Sequence, residues 1–232
     1  MLDQAFEALK AFDWGTDRKA LNPIDEAIVT TYGDAAAREE LETRLAAVLQ
    51  TDVSRDAKDF VCRKLMVIGT AASVPALAEL LPQQEHSHMA RYALERIPAS
   101  EAALAMRDAL PKLNAALKVG VIGSLGVRQD ADSVPALAAL LSDGDAAVAQ
   151  SAAHALGAIG TPEAAKSLAA SKPSSAQVRA AATDASLACA EALLAAGKKA
   201  QALAIYNGLA SGDQPKHVIL AATRGKLACV SQ

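Results

Sequence analysis

Four histidines and three cysteines are the side chains in this sequence best suited to hold a metal or act as nucleophiles. One stretch, Glu85-His86-Ser87-His88, brings two of them close together. On a strand, positions i and i+2 share a face and could supply two ligands to zinc. A helix sends them apart, and neither Cys-x-x-Cys nor His-x-x-x-His is present to complete a four-ligand set. The pair is therefore expected in an exposed interhelical loop, without a metal. Cys62 stands beside Arg63 and Lys64, which could favour a thiolate, but its neighbours Val61 and Leu65 mark it as a small core residue, and no histidine adjoins it as a base. The run Gly120-Val121-Ile122-Gly123-Ser124-Leu125-Gly126 lacks the Gly-Lys-Ser/Thr ending of a phosphate loop; its glycines are expected to permit close helix packing. Glu39-Glu40 and Asp143/Asp145 read as solvated surface or turn residues. No catalytic constellation emerges, so neither enzymatic activity nor a cofactor is expected.

The elements that would position these residues follow from an internal repeat. Val74-Pro75-Ala76-Leu77-Ala78-Glu79-Leu80-Leu81 returns as Val134-Pro135-Ala136-Leu137-Ala138-Ala139-Leu140-Leu141. A weaker copy, Ala103 to Leu110, lies halfway, giving a period of about thirty residues. The apolar positions follow the i, i+3, i+4 rhythm of a helix, with proline in the first turn, where its missing N–H is harmless, and with Ser73 and Ser133 as expected N-caps. A second helix carries the pairs Leu65/Ile68, Leu94/Ile97, Ile122/Leu125 and Leu156/Ile159. Gly69, Gly126 and Gly160 are suited to the left-handed position after its end. Each unit is a helical hairpin. Nearly a quarter of the residues are alanine, so a single hairpin is too lean to stand alone and must stack on neighbours.

The string from Ser133 through Val148, followed by Ala152-Ala153-His154-Ala155-Leu156-Gly157-Ala158-Ile159-Gly160, resembles a bacterial HEAT-like repeat of the PBS-lyase type. The resemblance covers roughly residues 55 to 190. It implies that Asp143 and Asp145 link helix A to helix B. The Val-Arg pair that usually opens helix B is Val148-Ala149 here, whereas Val178-Arg179 keeps it. The implied fold is all-α, a right-handed α-solenoid of about six to seven helical pairs. Three domains are expected. Residues 1–54 form an N-terminal helical cap, with helices Leu2 to Phe12, Pro23 to Tyr32 and Ala35 to Leu49. Glu39, Glu40, Glu42 and Arg44 give it a polar face, and Trp14 seals it. Residues 55–190 form the repeats. Residues 191–232 form a C-terminal hairpin, in which Ala202, Tyr206 and Leu209 resemble a tetratricopeptide-like unit, and a closing helix from His217 to Val230. Apolar Leu220, Leu227 and Val230 near the end point to a fragment of a longer protein, or to a helix that covers its own edge.

In this family the B helices line the concave side. Between their buried stripes lie Arg63, Arg91, Tyr92, Arg96, His154 and Arg179, the expected partner-binding residues. Lys118, Arg128, Arg224 and Lys226 reinforce the positive character, and Glu95 and Asp184 oppose it. A chain of net charge −3 could thus carry a positive inner groove suited to an acidic protein or peptide. Nucleic acid is disfavoured, because aromatic residues make up 3% of the chain and single strands are bound largely by stacking. The expected function is a noncatalytic protein-interaction scaffold. The alternatives are a HEAT-like enzyme or cofactor-handling protein, such as a bilin lyase or DNA glycosylase, or a structural module of a larger secreted enzyme. No stretch approaches the ~20 apolar residues of a membrane span. Met1 leads into Asp3, Glu7 and Lys10 without a secretory signal. A cytoplasmic location is expected, or a periplasmic or secreted one if a leader has been removed.

Overall fold

The computed structural model describes residues 1–173, 175–211 and 213–230, and every regular element among them is helical. Packing divides the chain into two compact units, Met1–Leu117 and Lys118–Gln232. No described helix is long and apolar enough to cross a membrane.

The first unit contains α1 (Leu2–Lys10), α2 (Asn22–Thr30), α3 (Ala35–Leu49), α4 (Arg55–Ile68), α5 (Val74–Ala78), α6 (Ser87–Arg96) and α7 (Ser100–Ala109). Hairpins α3/α4 and α5/α6 lie side by side: α5 packs between α3 and α7, while α4 packs on α6. This is the translational stacking of an α-solenoid. Buried Leu45, Leu65, Leu77 and Leu94 fill the space between the hairpins, each worth roughly 2 kcal/mol by area. Polar caps set the starts. Asp34 accepts from the Ala37 N–H, and Ser54 Oγ accepts from the Ala57 N–H while donating to the Phe12 carbonyl, which ties the α1–α2 loop to α4.

Three side chains in this unit depart from the sequence expectation. Glu42 does not supply a polar face: it is 2% exposed, and its carboxylate accepts from the backbone N–H groups of Thr70 (2.7 Å) and Ser73 (3.1 Å) and from the Thr70 hydroxyl. These donors open the 3₁₀ turn before α5, so Glu42 fastens α3 to the next hairpin. Ser73 is not a capping side chain; its backbone is already helical, and its hydroxyl donates back to the Thr70 carbonyl. Trp14 does not seal the cap but is 90% exposed.

The second unit carries the remainder of α8 (Ala115–Val127), then α9 (Val134–Leu140), α10 (Ala146–Ile159), α11 (Pro162–Ala170), α12 (Ala176–Ala195), α13 (Lys199–Ser211) and α14 (Lys216–Val230). Here α9 packs on α11, and α12 packs on both α10 and α14. Asp145 caps α10 by accepting from the Ala147 and Val148 N–H groups, and Asp143 accepts from the Asp145 N–H, so the two loop aspartates link α9 to α10. Ser133 again begins a proline-bearing helix with helical backbone and no cap bond; its hydroxyl donates to Asp130.

The glycines divide by role. Gly160 ends α10 in the left-handed conformation at φ 63°. Gly126 lies inside α8, where Gln129 takes the positive φ beyond the helix end, and Gly69 is extended at φ −62°. Gly126 and Gly157 instead allow close helix approach: a Cβ on either would stand 2.9 Å from the Cα of Ala155 or Ala185 respectively. One contact joins α8 to α10 and the next joins α10 to α12. Ser151 Oγ to the Val119 carbonyl and Cys189 Sγ to the Leu156 carbonyl add hydrogen bonds between the same helices.

Candidate interaction surface

Four of the six expected contact residues fall in the first unit, on α4 and α6. Along α6, His88, Tyr92 and Arg96 sit one turn apart on an exposed face. The His88 ring stacks on Tyr92 at 6.3 Å between centroids, and the Arg96 guanidinium lies 5.9 Å from the Tyr92 ring on the other side. Arg91 is half-buried; its Nη2 donates to His88 Nδ1 at 2.7 Å, and its Nη1 lies 3.9 Å from Glu95 Oε2. A guanidinium only donates, so His88 Nδ1 is the acceptor in this bond. Across from this ladder, Arg63 on α4 projects into solvent and holds Asp59 at 2.9 Å. A cleft of about 310 Å³ opens between the two helices, lined by Asp59, Cys62, Arg63, His88, Met89 and Tyr92. Arg63 and Tyr92 thus share one cleft.

The two residues expected in the second unit do not share one. Exposed His154 on α10 borders a shallow depression of about 420 Å³ beside Gly123, Gln150 and Ser151 of α8 and α10. Arg179 on α12 borders a cleft of about 700 Å³ with Lys172, Asp184 and His217, and its Nη1 donates to the Pro173 carbonyl at 3.1 Å. Lys118 lies 3.7 Å from Asp143.

The nucleophile and metal candidates behave as core and capping residues. Burial pushes the Cys62 thiol up to about 12, helped by Asp59, against a smaller opposing effect of Lys58; burial likewise pushes Cys189 up to about 11. Arg63 and Lys64 therefore do not activate Cys62. Because these folded-state values lie above the ordinary 9.0, both thiols favour the native state fully below pH 9, and that contribution is lost as pH rises toward 11 and 12. At pH 8 the native thiolate of Cys62 is reduced about a thousandfold relative to an exposed thiol. Alkylation of native protein by iodoacetamide, followed by mass spectrometry, should leave Cys62 and Cys189 unmodified over a period that fully labels them in urea. Rapid native labelling of Cys62 would show that the thiol is activated. His86 precedes α6 as its N-cap residue, and its ring is partly buried with Nδ1 unpaired. Burial, then Lys58, lowers its pKa. His86 and His88 face different surroundings, and among the described residues no three His, Cys, Asp or Glu side chains gather as a metal set.

Residues 104–186, from α7 into α12, match the family model for HEAT repeats. Residues 104–186 carry HEAT repeats. Similar solved structures include an engineered protein (18% identity, TM-score 0.45, covering 97% of this chain and 68% of that one). Another is the HEAT-like repeats protein of the archaeon Thermococcus onnurineus NA1 (16% identity, TM-score 0.41, covering 98% and 91%). A third is human deoxyhypusine hydroxylase in complex with glycerol (16% identity, TM-score 0.40, covering 98% and 95%). No curated protein matches the chain.

In the HEAT repeats of the second unit, the α10 and α12 positions are occupied by alanine, serine and a few polar groups. The ridge on α6 of the first unit is richer in aromatic and cationic side chains. Sequence reasoning placed Tyr92 and Arg96 on one helix and Arg63 on its neighbour, because each follows a buried i, i+3 stripe. It left out His88, considered there only as a metal ligand, and the Asp59 that orients Arg63. The i+4 spacing of His88 to Tyr92 and of Asp59 to Arg63 was the available signal.

Proposed function

We propose that this HEAT-repeat chain is a noncatalytic scaffold that binds a partner protein or peptide, with the α4/α6 face of its first unit as the docking surface. One observation carries the reading: the exposed His88–Tyr92–Arg96 ladder stands across a cleft from Arg63. Tyrosine and arginine dominate binding energy at interfaces, because a rigid ring buries area at little entropic cost and a guanidinium forks onto carboxylates. The ladder holds Tyr92 upright before any partner arrives, which lowers the cost of ordering it. Arg96 has no carboxylate partner among the described residues and is available to an acidic side chain, in keeping with the expected acidic partner.

The test is affinity capture with mass spectrometry, comparing the native chain with the Arg63→Ala/Tyr92→Ala/Arg96→Ala variant. All three side chains are exposed, so the variant should fold. Partners of the native chain are expected to bind it at least about tenfold more weakly, with a shallower salt dependence. Unchanged affinity would move the docking surface elsewhere.

A further inference from the structure

We infer that the first unit also holds a cavity that receives a basic side chain, arginine or lysine, of the partner peptide, set between the Trp14 loop and α4. This rests on the scaffold reading and specifies the partner's chemistry. The cavity, of about 330 Å³, is lined by Phe12, Asp13, Trp14, Arg18, Asp56, Asp59, Phe60 and Arg63. It adjoins the α4/α6 cleft, and Asp59 and Arg63 line both. The chain has one tryptophan, three tyrosines and three phenylalanines, and Phe12, Trp14, Phe60 and Tyr92 line these two neighbouring hollows.

The charge balance selects the occupant. Both arginines at the cavity are already engaged, Arg18 with Asp25 at 3.2 Å, a carboxylate it shares with Lys64, and Arg63 with Asp59 at 2.9 Å. Among the lining residues, three carboxylates, Asp13, Asp56 and Asp59, face these two guanidiniums. Asp56 has Arg55 no nearer than 3.9 Å, and Asp13 accepts the Trp14 N–H at 2.8 Å, with no cation at ion-pair distance among the described residues. An aromatic wall with spare carboxylates attracts a cation through the ring quadrupole and through direct pairing, and it repels an acidic side chain. The same chemistry operates within the protein, where Arg18 and Lys64 lie 5.3 and 4.6 Å from the centre of the Phe60 ring. Trp14 is held out by a turn in which the Thr16 N–H donates to the Asp13 carbonyl and Gly15 takes φ +80°. An exposed indole so placed can close over a ligand as the outer wall. With Arg96 beside Tyr92 of the adjoining cleft, the arrangement fits a peptide bearing a basic residue and, elsewhere along it, an acidic one.

A phage-displayed library of random dodecapeptides, selected on the native chain, tests this. Enriched peptides should share an arginine or lysine at one fixed position. Exchanging that residue for glutamine should weaken binding at least about tenfold, as should Trp14→Ala or Asp13→Asn/Asp56→Asn in the protein. Asparagine at position 13 can still accept the turn N–H, and Trp14 is exposed, so these variants keep the fold. Trp14 is also the sole tryptophan, so its fluorescence should shift on titration with an enriched peptide and remain unshifted with the glutamine version. Peptides that need Arg63, Tyr92 and Arg96 yet ignore Trp14, Asp13 and Asp56, or that lack a basic residue, would overturn the cavity's role and leave the scaffold standing. Failure to enrich any peptide would count against both.

Discussion

Gly157→Leu is expected to unfold the second unit, or to lower its stability by more than about 3 kcal/mol in urea denaturation. Gly157 is buried in α10 against α12, and the first atom of any side chain would already stand 2.9 Å from Ala185 Cα, 3.0 Å from its Cβ and 3.2 Å from its carbonyl oxygen. Two of these are backbone atoms, so no rotamer change relieves the clash and the helices must separate. Even Gly157→Ala should lose about 1–3 kcal/mol, although alanine is favoured over glycine within a helix by about 1 kcal/mol. Gly123→Ala is the control of opposite sign. It lies in α8, where a Cβ meets nothing within 4 Å, so propensity alone acts and a gain of up to about 1 kcal/mol is expected. If Gly157→Ala were neutral or stabilising, close approach of α10 and α12 would not be what the glycine secures. Gly126→Ala should repeat the loss, because it faces Ala155 in the same way.

The comparison shows what a one-dimensional pattern carries. The period of about thirty was legible because each hairpin must present the same apolar stripe to its neighbours, and Val74-Pro75-Ala76-Leu77 and its copy at Val134 record that demand twice. Helix limits were nearly legible too, as α3 spans the expected Ala35 to Leu49. The role of each glycine was not. A missing side chain serves a left-handed turn and a close helix crossing equally well, and only the neighbouring helix distinguishes Gly160 from Gly126. The candidate surface divides in the same manner. Tyr92 and Arg96 follow from helical spacing. The aromatic cavity joins the Trp14 loop to Phe60 through the long-range bond from Ser54 to the Phe12 carbonyl, which leaves no periodic trace. Trp14 read as a cap seal because large apolar residues are usually buried.

Glu42 is the clearest case of a residue whose type misleads, and its removal should be costly although it is a carboxylate. Three donors converge on its carboxylate: the Thr70 and Ser73 N–H groups and the Thr70 hydroxyl. The Ser73 end of this site is fully buried. In Glu42→Ala the two N–H groups lose their acceptor at the start of a 3₁₀ turn, and neither can turn inward to another. The orphaned buried Ser73 donor costs about 1–3 kcal/mol and the part-buried Thr70 N–H, which water can reach, costs less, so a total loss of about 2–3 kcal/mol is expected in urea denaturation. Glu42→Gln separates hydrogen bonding from charge. Its amide oxygen can keep both N–H bonds and its NH₂ can face the Thr70 hydroxyl as donor, so the loss should be limited to charge assistance, roughly half that of alanine. Amide hydrogen exchange gives a local readout: protection at Thr70 and Ser73 should collapse in Glu42→Ala and persist in Glu42→Gln. If both variants kept native stability and protection, the carboxylate would not be fastening α3 to the following hairpin, and the stacking of these two repeats would rest on its apolar contacts alone.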